Sequence, residues 1–152
     1  MLKPLFLAAA LASAAVFTGC ASMQAPSPQM TENLQQLQNR AWIATQIGNT
    51  EIKAPPAAHS LPSIQFDEAS KRVSGSDGCN RIMGAYAAGN DTLQLSQLAS
   101  TRMACLNNSG IDQQYNEALA KVTHYQVFGK TLKLLDRHGN LLIQFESAVQ
   151  PR

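Results

Sequence analysis

Charge is scarce in this chain: Asp, Glu, Lys and Arg make up 14% of its residues, against roughly a quarter in an average soluble domain. The formal net charge of +2 falls to +1 once Lys3 is left out with the leader described below. No basic face is therefore on offer for nucleic acid, which needs clustered cations. Lys71-Arg72 is the nearest approach to a cationic run, and adjacent strand residues point to opposite faces. Histidine is as thin. His59, His124 and His138 are scattered, none with a second His at ligand spacing, so neither a metal centre nor any other cofactor is expected. The sequence also lacks G-x-S-x-G, S-x-x-K with its partners, a P-loop and G-x-G-x-x-G, which removes the usual signs of nucleophilic catalysis and nucleotide binding. Asp67-Glu68 is an adjacent pair in a turn and makes no acid/base arrangement across a cleft. An enzyme is not expected.

What is present begins with an export signal. Lys3 gives a positive start, and Leu5 to Phe17 is an uncharged run of Leu, Ala, Phe and Val with one Ser. That run is too short for a confident membrane span and suits a signal-peptide core. Phe17-Thr18-Gly19-Cys20 then resembles a bacterial lipobox, with Phe17 in place of the usual leucine. Residues 1–19 are read as a lipoprotein signal peptide, and Cys20 as the lipidated N-terminus; the alternative is an ordinary secretory peptide cut at a small-residue site after Ala21 or Ser22. Each buried methylene contributes about 0.8 kcal/mol, and several acyl chains anchor a protein stably. Ala21 follows the cysteine, where an Asp would retain the protein in the inner membrane of enteric-type bacteria. By that analogy the anchor is in the outer membrane and the protein faces the periplasm.

Residues 20–31 read as the lipidated cysteine and a flexible tether, since the stretch is small, polar and carries Pro26 and Pro28. Residues 32–148 form one domain, long enough for a single core. A helix capped by Thr31 runs through Leu34 and Leu37. From Ala41 the period becomes two, with Trp42, Ala44 and Gln46 on one face, until Gly48-Asn49 ends the strand. Trp42 is a core anchor. Pro55, Pro56 and Pro62 keep residues 52–63 irregular or extended. Ile64 and Phe66 start a hairpin that turns at Asp67–Ser70 and leads to Gly75. A single helical turn is predicted over Asn80–Met83, then a strand with Leu93 and Leu95, and another over Thr101–Ala104. Ile111, Tyr115, Ala118, Leu119 and Val122 lie at helical spacing, with Ser109 as a possible cap and Asp112 in the first turn. Strands from Tyr125, Leu132 and Leu141 close the chain. Short strands with one main packed helix argue an α+β fold, its antiparallel sheet strongly curved and barrel-like.

Two cysteines lie in the body, Cys79 and Cys105, one in each of two motifs. In an oxidising compartment they are a disulfide candidate; two buried free thiols acting as small hydrophobes are the alternative. A redox-active pair is not expected without C-x-x-C or a nearby base. Joining them would draw Asn80, Arg81, Thr101 and Arg102 into one neighbourhood. Two guanidiniums beside amide and hydroxyl groups could hold an anion or a carboxylate-bearing partner. Local turn chemistry and solvation explain the same residues more simply.

Trp42, the motif S-G-S-D-G-C-N-R-I-M-G-A-Y from Ser74 to Tyr86, and L-A-S-T-R-M-A-C from Leu98 to Cys105 together resemble the META domain, the HslJ-like group of bacterial heat-shock and envelope proteins. The resemblance spans roughly Leu34 to Ser147. It implies one small α+β domain with a strongly curved sheet, and a link to stress or drug tolerance at the envelope. It brings no catalytic residue with it. The leading expectation is a binding or assembly-support module, held to the membrane by its lipid and contacting an envelope protein or small ligand. The alternative is a carrier of a lipid or other apolar ligand in the hollow of the sheet, lined by residues such as Leu93, Leu95, Leu132 and Leu134.

Overall fold

The computed structural model describes residues 28–53, 61–105 and 109–148. The leader, Cys20 and His59 lie outside the described residues. Helix α1 (Pro28–Leu37) precedes β1 (Ala41–Ile47), β2 (Thr50–Glu51), β3 (Ser63–Asp67), β4 (Arg72–Ser76), β5 (Arg81–Ala88) and β6 (Leu93–Ser100). Helix α2 (Ile111–Leu119) then leads to β7 (His124–Phe128), β8 (Thr131–Leu135) and β9 (Leu141–Ser147). One antiparallel sheet runs β6-β5-β4-β3-β1-β9-β8-β7, with β2 paired to β1 alone. The chain is thus two meanders, β3–β6 and β7–β9, laid on either side of β1 and joined through α2.

The sheet curls until its ends touch. Thr92 and His124 form an isolated antiparallel bridge. Beside it the Leu93 N–H donates to Thr123 O at 2.9 Å, and the Tyr125 N–H to Asp91 O at 2.8 Å. The result is a partial barrel, α+β in class as the strand pattern argued. Its inner face takes alternate residues of most strands: Ile64 and Phe66, Leu132 and Leu134, Ile143 and Phe145 are all essentially inaccessible. Helix α2 adds Tyr115, Ala118 and Leu119, and Tyr115 packs edge-on to Phe145 at 6.2 Å. Burial of one such large apolar side chain contributes about 1.5–3 kcal/mol. Trp42 is fully buried, and its indole N–H donates to Leu37 O at 2.9 Å, tying the end of α1 to the core.

Several local expectations are corrected. Helix α1 begins at Pro28, ahead of Thr31, because proline is favoured in a first helical turn, where its missing N–H costs nothing. The register of β1 slips against β9 between Ala44 and Gln46, so Ile47, not Gln46, turns inward. Asn80–Met83 is no helical turn: β5 starts at Arg81 and pairs on both sides. No strand covers Thr101–Ala104; β6 runs unbroken from Leu93 to Ser100. Ser109 does not cap α2, whose N-cap is Gly110 in the left-handed region with no side-chain bond. Gly75 has a packing reason, since a Cβ there would overlap the Ser63 carbonyl on β3.

Candidate functional site

The link from β4 to β5 is four residues, Asp77-Gly78-Cys79-Asn80, folded round one carboxylate. Asp77 is 1% exposed. Its Oδ1 accepts the N–H groups of Cys79 at 2.9 Å and Asn80 at 2.6 Å, and its Oδ2 accepts the Asn116 amide of α2 at 2.8 Å. A buried carboxylate is tolerated because it is surrounded by donors. The Asp77 N–H closes the loop on Asn80 O at 3.0 Å, while Gly78 takes φ 97°, a conformation that suits glycine.

Asn80 carries the second half of the corner. Its Oδ1 accepts the Met103 N–H at 2.7 Å and the Thr101 hydroxyl at 3.1 Å. Thr101 Oγ1 accepts the Arg81 N–H at 3.1 Å, and the Thr101 N–H donates to Arg81 O at 3.0 Å. A disulfide joins Cys79 to Cys105, with Cα atoms 5.8 Å apart, and the Asn80 amide rests on Cys105 Sγ at 3.5 Å. The two sequence motifs therefore meet, held by backbone bonds, side-chain bonds and sulfur together.

The four residues singled out as a binding set are adjacent but unequal. Asn80 is buried and Thr101 is engaged, so both serve the corner itself. Arg81 and Arg102 are exposed, and no described residue bonds either guanidinium. Around them stand three of the exposed large apolar residues, Met83, Leu98 and Met103. Sequence reasoning missed Asp77 and Asn116. The Asp-x-x-Asn spacing of an Asx-type turn was the available signal for Asp77; nothing local points to Asn116.

Several other polar residues are taken up by turns. Asp67 accepts the N–H and the hydroxyl of Ser70, and these bonds hold its pKa below the usual carboxylate value. Asp136 accepts from the Asn140 amide and backbone and from the His138 N–H, which lowers it likewise. Glu68 accepts the Asn39 amide at 3.1 Å. His124 shares its Nδ1 with the Thr123 hydroxyl, and His138 accepts from Arg137. Among the described residues no three His, Cys, Asp or Glu gather as a metal-holding group. Burial raises Tyr125 to about 12 and Tyr115 well above its ordinary value; Tyr86 is raised too, mainly by burial. Leu132 and Leu134 fill the core, while Leu93 and Leu95 line an open groove of about 690 Å³ between β6 and the end of α2.

A curled antiparallel sheet, one main helix lodged on it and a corner tied together from two distant motifs define a small α+β module built for rigidity. The chain belongs to the META domain family, whose model matches residues 35–149. A protein from Burkholderia xenovorans solved by NMR is 24% identical and superposes with a TM-score of 0.60, over 90% of this chain and 100% of that one. A second NMR structure is 26% identical, with a TM-score of 0.59 over 75% and 93%. A DUF4847 family protein from Bacteroides vulgatus is 22% identical, with a TM-score of 0.51 over 76% and 96%, a likeness of fold alone. Comparison with curated proteins finds no match.

Proposed function

We propose that this chain is a lipid-tethered binding or assembly-support module of the bacterial envelope, anchored in the outer membrane through Cys20, facing the periplasm and acting in stress tolerance. One observation carries the reading. The Asp77–Asn80 corner fixes Arg81 and Arg102 on a cross-linked frame, yet leaves both guanidiniums unbonded among the described residues, beside exposed Met83 and Met103. Free cations on a rigid support beside apolar area suit recognition of a carboxylate-bearing partner. The lipobox-like Phe17–Cys20 supports the anchor, and the cross-link supports an oxidising compartment. Binding is favoured over catalysis because the carboxylates of Asp67, Asp77 and Asp136 are each committed to local donors.

In-cell crosslinking of the lipoprotein followed by mass spectrometry tests this directly. Arg81→Ala with Arg102→Ala should reduce recovery of the partner while leaving the fold intact. Unchanged recovery, or labelling confined to cytoplasmic proteins, contradicts it. The groove beside Leu93 and Leu95 favours a second reading, an apolar-ligand carrier. Native mass spectrometry decides it: protein recovered with no retained lipid removes that option.

A further inference from the structure

Among the described residues the ends of the sheet meet only near Thr92 and His124. Beyond Leu93, whose N–H is taken by Thr123, β6 has no strand on its outer side among the described residues. Alternation turns the backbone groups of Leu95 the same way as those of Leu93, toward the open side. At the far end the Thr101 N–H points inward to Arg81 O, so Ser100, one residue earlier, faces outward as well. Residues 96–100 are all exposed.

Edge strands are ordinarily blunted by charge, proline or strong distortion, because unpaired N–H and C=O groups template another chain. β6 reads LQLSQLAS, with neither a charged residue nor a proline. Its one irregularity is a register shift against β5, where Gln97 takes φ 53°. Exposed Leu98 and Met83 flank the edge, and methionine adapts to varied partner side chains. Arg81 and Arg102 close one end. β6 itself carries no acid, and Asp91, just before it, lies at the end that β7 closes, so charge complementarity favours a different chain.

We propose that β6 receives an extended, acidic peptide segment of a partner protein by strand addition. The segment lies along Leu95–Ser100, trades main-chain hydrogen bonds with those two residues, and sets carboxylates against Arg81 and Arg102. This rests on the binding-module reading above and gives it a partner chemistry.

The probe is a synthetic peptide alternating valine and glutamate, with a valine–lysine counterpart and phosphatidylglycerol vesicles as comparisons. ¹⁵N-labelled protein is titrated, and amide exchange is followed by NMR. The acidic peptide should shift β6 resonances and slow exchange at Leu95 and Ser100 by about tenfold or more. Ser100→Pro removes one outward N–H while the β5 ladder stays intact, and should weaken binding at least about tenfold. Arg81→Glu with Arg102→Glu, both on exposed side chains, should weaken it comparably and survive any folding defect of the proline variant. Strand addition is overturned by equal binding of the lysine peptide, by shifts away from β6, by vesicle binding without peptide binding, or by dimerisation through β6. If Ser100→Pro binds as well as the parent while the arginine reversal does not, strand addition fails and the arginine surface survives. If the arginine reversal also leaves binding unchanged, the peptide is not held as proposed, and partner recovery in cells then decides the binding-module reading separately.

Discussion

Replacing Cys79 and Cys105 together with serine removes the cross-link and little else. The bonds that fold the corner run to the Asp77 and Asn80 side chains; sulfur enters only through Cys105 Sγ, which lies 3.5 Å from the Asn80 amide and 3.4 Å from Met103 O. The native state should therefore keep its geometry, and the loss falls on the unfolded chain, which regains the freedom of a loop holding β5 and β6. With a sequence separation of 26, the chain-entropy relation gives about 3.5 kcal/mol. At this domain size that corresponds to a fall in Tm on the order of 10–15 °C. Urea unfolding followed by far-UV circular dichroism and by the fluorescence of Trp42, the only tryptophan, measures it with two probes of one transition. The same loss should follow reduction of the unmutated protein. A loss below about 1 kcal/mol would refute the reasoning, since the polar network alone would then hold the corner.

Three further outcomes are expected. Asp77→Ala strands the N–H groups of Cys79 and Asn80 and the Asn116 amide in a buried site, and should cost about 3 kcal/mol or more in urea melts; a cost near zero contradicts the corner as drawn. Gly75→Ala pushes a methyl into the Ser63 carbonyl, with a cost of about 1–3 kcal/mol, while Gly48→Ala, where a Cβ meets nothing, carries only the backbone penalty of its positive φ. All three tyrosines have raised folded pKa values, chiefly through burial. Above the ordinary value the unfolded chain sheds protons that the folded one keeps, so stability holds below about pH 10 and declines as pH rises beyond it. Tyrosinate absorbance should accordingly rise together with loss of circular dichroism; an ordinary titration near pH 10 in folded protein contradicts the buried placements.

The curved sheet, the main helix and the closing hairpins were legible because their residues keep a clean period. Ile111, Tyr115 and Leu119 mark α2, and Leu132 and Leu134 mark β8. β5 was obscured because Gly84 occupies an inward position where an apolar side chain would have kept the alternation. β6 was cut short because its second half buries nothing: with no strand on its outer side among the described residues, Ser96 to Ser100 need no apolar face. Gln46 misled for another reason, since a bulge is set by pairing with β9 rather than by β1 itself. At the corner the cysteines and arginines were visible as residue types. Asp77 as organiser was not, because its donors include Asn116, brought in by the tertiary fold. The open edge was not legible either, since it depends on where the two meanders meet at Thr92 and His124.

Site-specific photocrosslinking in living cells tests the central claim most directly. A photoreactive residue at position 98, on the exposed stretch of β6, is compared with one at position 128, where Phe128 is 67% exposed away from the corner. The expected result is a discrete adduct from position 98 alone, mapping to an acidic, extended segment of an envelope protein. No adduct at position 98, or the same adducts from both positions, contradicts it.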